Sequence, residues 1–543
     1  MQDLTKREKS LIMVAIVSLL LFAALNQTII GNALPKISAE LNGAAYYNWV
    51  FTIFMLTSSV TAILVGKLSD IYGRKPIIVV GVVIFMIGTF LCGTSANIIQ
   101  LIIYRGVQGF GAGMIMSTAF AAVGDLFPPR ERGKWQGILS ATFGFSSILG
   151  PSLGGYIVEY FDWHWIFWVF LPIGVIALVL IFWLFPKTEK QGKQPIDLLG
   201  SFFVVTTIVP LLLAFSWAGK EYAWSSWQII GLFITSVVSL IIFIWVEKRA
   251  VSPVIPLDLF GNSIFTLSNV ILFLIGFGMF GTIIYAPFFI QGVMGLGATE
   301  SSFITMALTL AMVVANITTG QIMSRTGKYK KLAIVGGFTM ALGLFLLSFL
   351  GPNTSNITMV WHLIIVGIGL GIVFPVFSLT AQNAVSHKYL GVATSSVQLF
   401  RQIGGTIGVA ILGTVLTGSL TDEMSNLTQK TSANISLVSP AISSKLAALQ
   451  DSQILTNADK LQEIRASLPA SFTALFDNML AMLREAFATA LNHVFLTGSL
   501  VVLFGIFFMF FVKEIPLRTS NKTSSEKDLE HSCNTSYPKA SQH

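Results

Sequence analysis

The chain has 543 residues, of which 54% are hydrophobic and only 11% charged, with 43 Phe and 11 Trp; a soluble globular protein carries about 25% charged residues. A soluble enzyme or binding domain is excluded, and a polytopic protein partnered by the lipid bilayer is expected. The net charge of +8 does not point to nucleic acid, because the basic residues fall in small groups between apolar runs and form no continuous face. Cys92 and Cys533 are the only cysteines, so no disulfide framework or zinc spacing is possible, and neither metal nor cofactor is expected.

At the N-terminus Lys6, Arg7 and Lys9 precede an apolar stretch from Leu11 to Leu25. It lacks a small-x-small cleavage site and is followed by many similar segments, so it reads as a first membrane helix and not as a signal peptide. A hydrocarbon core about 30 Å thick needs roughly 20 apolar residues per helix. Fourteen segments qualify, approximately 10–31, 46–66, 76–96, 98–122, 134–158, 164–185, 196–217, 226–247, 264–290, 301–323, 332–350, 359–382, 390–416 and 489–512. With the N-terminus inside, the inner loops hold nineteen Lys and Arg from Lys6 to Lys388, against Lys36 and Lys220 in the short outer loops. That asymmetry predicts that both termini are cytoplasmic. Residues 417–488 form one long outer segment. In it "SSKLAALQDSQ" and "LFDNMLAMLREAFATAL" carry helical spacing, which predicts an amphipathic helical hairpin on the outer surface. The polar tail 513–543 is expected to be disordered.

An internal repeat divides the chain. "GKLSDIYGRKP" (66–76) resembles "GQIMSRTGKYK" (320–330), pairing Gly66 with Gly320 and Gly73 with Gly327. "GFGAG" (109–113) recurs as "GIGLG" (367–371), and the same offset takes Asp125 to Asn383 and Gly133 to Gly391. The expected division is a six-helix bundle over 1–185, two inserted helices within 186–263, and a second six-helix bundle over 264–512. Asp70, Arg74, Asp125 and Arg132 correspond to Ser324, Lys328, Asn383 and Leu390, so only the first half keeps a full set of opposite charges.

Three motifs carry mechanism. In "GKLSDIYGRKP", Gly66 and Gly73 allow close approach and a tight turn. Asp70, Arg74 and Lys75 are placed to pair with Asp125 and Arg132, either as a latch that opens and closes one face or as ordinary topology charges. In "YRGVQGFGAG", Arg105 lies inside an apolar helix, where a cation costs at least about 2.5 to 3.5 kcal/mol. It must face a partner, water or a cavity, either with a role in a pathway across the membrane or as a structural Arg bonded to backbone carbonyls. Gln108 shares its face, while Gly109, Gly111 and Gly113 let another helix approach. "GPSLGG" joins Pro151 to a packing face of Gly150, Gly154 and Gly155.

On these motifs the sequence resembles the fourteen-helix drug/proton antiporters of the major facilitator superfamily, over residues 10 to about 515. "GKLSDIYGRKP" is similar to that superfamily's loop between helices 2 and 3, "IIYRGVQGFGAG" to its helix 4 motif, "GPSLGG" to the antiporter motif of helix 5, and "QTIIGNALP" to the first-helix motif of the branch. The resemblance implies two six-helix bundles plus two inserted helices and export of hydrophobic, often cationic small molecules by rocking between inward and outward states. Protons would be the coupling ion. The setting it implies is a bacterial plasma membrane, and a monomer is expected.

One departure stands out. Where the branch usually reads Leu-Asp-x-Thr, this chain reads Leu25-Asn26-Gln27-Thr28. An amide cannot titrate, so the expected first-helix proton carrier is missing. Asn26 and Gln27 are then expected to line the central cavity as neutral hydrogen-bonding residues, beside Arg105 and Gln108. No Asp or Glu falls well inside a span. His362 is the first candidate replacement, since a His titrates near neutral pH, and Glu300 the second; the bland alternative for His362 is an interfacial histidine bonded to a neighbour. His164 and His493 read as interfacial, with the aromatic belt. No Walker loop, His-Glu-x-x-His or intramembrane acid pair supports an enzyme or an ATP-driven pump. Beside multidrug export, the competing function is transport of one dedicated lipid, peptide or metabolite, not coupled through the first helix.

Overall fold

The computed structural model describes residues 4–41, 46–186, 195–219, 221–435, 465–466 and 470–515. Fourteen helical spans account for almost all of them. They are α1 (Lys6–Thr28, continued after Ile29 by Ile30–Glu40), α2 (Tyr47–Tyr72), α3 (Arg74–Cys92), α4 (Ile98–Leu126), α5 (Pro129–Tyr160) and α6 (Trp165–Trp168 and Leu171–Leu184). Next come α7 (Leu198–Trp217), α8 (Trp227–Glu247), α9 (Ser263–Phe288), α10 (Ala298–Thr326), α11 (Lys330–Leu347), α12 (Asn356–Asn383), α13 (Leu390–Ile435) and α14 (Ala470–Phe511). Each predicted span coincides with one of these helices.

Thirteen of the described helices are long and apolar enough to cross a membrane by composition alone. The other is α5, and its contacts explain its poverty in apolar residues. A Cβ added to Gly133 would stand 2.9 Å from the Gly320 Cα on α10, and one on Gly150 would stand 2.2 Å from Thr28 Oγ1 on α1. In lipid, tails are as apolar as leucine, so helices associate through close van der Waals contact at small residues. Glycine and serine therefore take the place of hydrophobic bulk in α5.

The buried apolar side chains form two large cores. One runs from Ile12 to Phe185 and the other from Ile264 to Val512. A third, smaller cluster joins Val204, Ile208 and Phe243 of α7 and α8 to Val60 and Ile63 of α2 and to Val392 and Leu399 of α13. The two extra helices thus pack on the side where α2 of the first core meets α13 of the second.

The outer segment differs from the expectation. α13 continues to Ile435 and α14 begins at Ala470, so "LFDNMLAMLREAFATAL" is the first part of the last spanning helix and not an arm of a separate hairpin lying on the surface. Phe476, Phe487 and Leu491 on this extension are buried in the second core, and that packing keeps the helix running. "SSKLAALQDSQ", the tail from 516 onward and Cys533 lie outside the described residues.

Candidate functional site: a sealed face and a central cavity

The turn between α2 and α3 is made by Gly73, whose φ of 91° favours a residue without Cβ. The turn sets Arg74 at the start of α3, facing back over α2. Its Nη2 donates to Asp70 Oδ1 at 2.5 Å, its Nε donates to Asp125 Oδ2 at 2.8 Å, and its Nη1 contacts the Ser69 hydroxyl. All three charged side chains are buried. Asp70 also reaches the other half. Oδ1 accepts the N–H of Gly391 at 3.1 Å and Oδ2 that of Val392 at 3.3 Å, capping the free donors at the N-terminus of α13.

Two expected members of the cluster do other work. The Arg132 bonds run to the Phe127 carbonyl at 2.9 Å and the Gly124 carbonyl at 2.8 Å. Arg132 thus closes the end of α4, the helix that carries Asp125. Lys75 points away from the cluster, its ammonium 5.6 Å from the Phe182 ring centroid on α6. Arg74 and Lys75 are adjacent, and a helix turns consecutive side chains about 100° apart.

The glycines matched by the sequence repeat meet each other across the halves. A Cβ on Gly391 would lie 2.4 Å from the Gly66 carbonyl, and one on Gly320 would lie 2.3 Å from the Gly133 carbonyl carbon. Gln136 Nε2 adds a 3.4 Å bond to Gln382 Oε1 on α12. The face that carries the Gly66–Pro76 loop is therefore shut by two backbone crossings and the Asp70 cap.

Beyond this seal lies a cavity of about 420 Å³ bounded by both halves. Along α10 its wall runs from Asn316 to Ser302, roughly 20 Å at 1.5 Å per residue. Met, Phe, Ser and Thr dominate, and Gln27 and Thr28 of α1 take part. Asn26 does not. It is 1% exposed, with Arg105 and Gln108 at 0%, and these three form a polar network inside the first bundle. Arg105 Nη1 donates to Gln108 Oε1 at 2.6 Å and its Nε to the Val50 carbonyl at 3.4 Å, while Cζ sits 4.1 Å from the Phe54 ring centroid. Gln108 Nε2 donates to Thr89 Oγ1 at 2.7 Å and to Asn26 Oδ1 at 3.4 Å; Asn26 Nδ2 donates to the Phe22 carbonyl at 3.0 Å. The expectation that Asn26, Arg105 and Gln108 line the cavity is corrected to a buried strut tying α1 to α3 and α4, one helical step from Gln27 on the wall.

The glycines of the α4 motif divide between two neighbours. A Cβ on Gly109 would meet Thr57 Oγ1 at 2.0 Å, one on Gly113 the Ser58 carbonyl of α2 at 2.3 Å, and one on Gly111 the Phe85 nitrogen of α3 at 2.4 Å. In α5, a Cβ on Gly154 would meet the Ile29 carbonyl at 2.5 Å, at the step where α1 is interrupted. Gly155 has nothing within 4 Å and takes no part in that contact. The backbone of Pro151 lies within α5 between these glycines.

Neither candidate proton carrier is on the cavity wall. Glu300 is exposed at the start of α10, where its Oε2 accepts the Gly297 N–H at 3.3 Å. His362 is half-buried, and its Nδ1 is shut from solvent with no hydrogen-bond partner. Leu363, Leu370 and Phe374 form the cavity face of α12, whereas the face of His362 continues through Gly369, which packs on Met340 of α11. His164 stacks on Trp163 and contacts Asp162 in the loop before α6, holding that carboxyl below its ordinary range. His493 Nδ1 lies 3.0 Å from Ser419 Oγ, joining α13 to α14.

A residue the spans concealed completes the wall. Arg401, in the middle of α13, lines the cavity with Gln398 and Gln402. Its Nη2 donates to Gln398 Oε1 at 2.7 Å, and its Cζ lies 4.9 Å from the Phe374 ring centroid. A lone Arg within an otherwise apolar run was the available signal, because burying a cation at membrane depth is costly.

Two bundles related by an internal repeat, meeting around a cavity that is shut on one face, are the architecture of a membrane transporter. The profile of the Major Facilitator Superfamily matches residues 16–409, and the chain belongs to that family. It is 37% identical over 529 residues to the multidrug transporter protein MdtP of Bacillus subtilis (strain 168), covering 96% of this chain and 95% of that one. Multidrug resistance protein 3 of the same organism is 35% identical over 407 residues, 75% of this chain and 79% of its own. The crystal structure of the human organic anion transporter MFSD10 covers 92% of this chain and 99% of its own at 15% identity and a TM-score of 0.59, a likeness of fold alone.

Proposed function

We propose that the protein is a secondary active exporter of hydrophobic or amphipathic small molecules, working by alternating access with protons as the coupling ion. One observation carries the reading: a central cavity rich in Met and Phe, bounded by both halves, with one face sealed by Gly66–Gly391, Gly133–Gly320 and the Asp70 cap. The excess of Lys and Arg supports a cytoplasmic side for that sealed face and for both termini, and similarity to two proteins of Bacillus subtilis supports a bacterial setting. In this reading the cavity is closed to the cytoplasm here, and breaking the seal gives the inward-facing state. Similarity to two multidrug transporters supports a broad substrate range.

Among the described residues no Asp, Glu or His lines the cavity. Coupling therefore runs through the seal in this reading, and Asp70 is its titrating member. Protonation of Asp70 removes the charge that pairs with Arg74 and weakens the cap on Gly391 and Val392, which frees the halves to part. Transport in proteoliposomes, with a pH gradient and a membrane potential imposed separately, tests the proposal. Efflux driven by the pH gradient alone is expected; movement that responds to neither gradient overturns active export.

A further inference from the structure

The charge of the cavity is reversed from that implied by the family resemblance. At Asn26 the first-helix acid is absent, and no carboxylate lines the wall among the described residues. The one charged side chain on that wall is Arg401. Its guanidinium has five N–H donors but one strong acceptor, Gln398 Oε1 at 2.7 Å. Nη1 reaches only the Met279 thioether at 4.0 Å among the described residues, a weak acceptor, and Nε is buried with none. Among the described residues Arg401 forms no ion pair. A planar guanidinium with spare donors, in a cavity walled by lipid-depth protein, matches a carboxylate in bidentate geometry. The same uncompensated charge repels a cation strongly where the dielectric is low.

We propose that the cavity selects amphiphiles bearing a carboxylate over their cationic counterparts, with Arg401 as the group that binds the anion and the Met and Phe side chains taking the apolar body. The Phe374 ring beneath the guanidinium fixes its plane. Gln398 fixes its rotation and leaves the Nη1 edge for the ligand. This inference rests on the cavity being the substrate site of the exporter proposed above.

The test uses three probes with one ring system: 1-pyrenebutyrate, 1-pyrenebutyramide and pyrenebutyl-trimethylammonium. Binding to the purified full-length protein is read by pyrene fluorescence, and transport is read separately in proteoliposomes. The butyrate is expected to bind at least about tenfold more tightly than the trimethylammonium compound, and Arg401→Gln to remove that preference. Arg401→Lys should restore part of it, because charge is kept and the planar fork lost. Gln398→Glu keeps Arg401 but supplies an internal carboxylate, and should lower the preference as well. That variant covers the case in which Arg401→Gln fails to fold. Equal binding of butyrate and ammonium by the wild type, or an unchanged ratio in both Arg401→Gln and Gln398→Glu, overturns the anion site. Preferential binding of butyrate without transport of any probe leaves the anion site standing and sinks the exporter reading. Transport of all three probes at equal rates and affinities does the reverse.

Discussion

Asp70 holds the two halves of the protein together by accepting the backbone N–H of Gly391 at 3.1 Å. The same oxygen lies 2.5 Å from Arg74 Nη2, so one carboxylate serves an ion pair within the first half and a helix cap in the second. A residue in this position reports the state of the seal directly. In the coupling proposed above, it would tie protonation to the opening of the seal.

Replacing Asp70 by Asn keeps the shape and an acceptor oxygen but removes the charge. A charge-assisted cap and ion pair weaken together, and Arg74 is left with Asp125 alone. Asp70→Asn is expected to slow pH-driven efflux by about tenfold and to flatten its pH dependence, while the protein still elutes as a folded species. Measurement of efflux rates between pH 5.5 and 8 checks this. An unaltered pH profile would remove Asp70 from the coupling route.

The backbone crossings should be sensitive to a single methyl. In Gly391→Ala the added carbon would stand 2.4 Å from the Gly66 carbonyl and 2.5 Å from Asp70 Oδ1, so the contact can form only if the helices move apart. The closed face is expected to open. With Cys533 changed to Ser and a reporter cysteine at Asn316, labelling by a membrane-impermeant maleimide from the side of the Gly66–Pro76 loop should rise several-fold in Gly391→Ala. No rise would mean that the crossing does not govern access.

Arg105 and Gln108 form a fully buried, hydrogen-bonded pair in the first bundle. Arg105→Ala leaves Gln108 Oε1 without its donor and forfeits the stack on Phe54, a loss on the order of 1 to 3 kcal/mol for the orphaned group. Transport is expected to fall to background and the melting temperature to drop. Arg105→Lys should recover only part of both, lacking the fork that spans Val50 and Gln108. Thermal denaturation and efflux measured on the same preparations separate the structural loss from any further effect on the transport cycle.

Asn26 and His362 give the contrasting case. Neither lies on the cavity wall. Asn26→Ala loses a long 3.4 Å bond from Gln108 and a local bond to the Phe22 carbonyl, a change of about 1 kcal/mol. It should lower activity modestly with no shift in pH dependence. His362→Gln is expected to leave the pH profile between about 5.5 and 7.5 in place, although that is where a histidine titrates. A flattened profile in His362→Gln would restore it as the carrier and displace Asp70.

The spans were legible because crossing a membrane demands a long apolar run, a constraint that composition records directly. The repeat was legible for a similar reason. Gly66, Gly133, Gly320 and Gly391 recur where main chains touch, and only glycine permits that approach. Side-chain orientation was less so. Asn26 and Gln27 are adjacent, yet one is sealed in a network and the other faces the cavity, a difference fixed by the rotation of α1 against α3 and α4. Arg401 was less legible than Arg105 because it lies outside the three motifs, and a charge within a span adds nothing to the loop balance that sets topology. The extension of α14 back to Ala470 was hidden because, outside the hydrocarbon, a helix packed on protein reads like any amphipathic helix.

Gly66 on Gly391 and Gly133 on Gly320 touch main chain to main chain, so these two crossings order no side chain of their own, and the side-chain ordering on this face is confined to groups such as Asp70 and Gln136. In the proposed alternating-access cycle the crossings would serve as bearings on which α2 rolls over α13 and α10 over α5. Among the described residues the polar bonds across this face are few, and those to Gly391 and Val392 converge on one carboxylate. In the cycle proposed above, a single proton on that carboxylate is the perturbation expected to turn the transporter over.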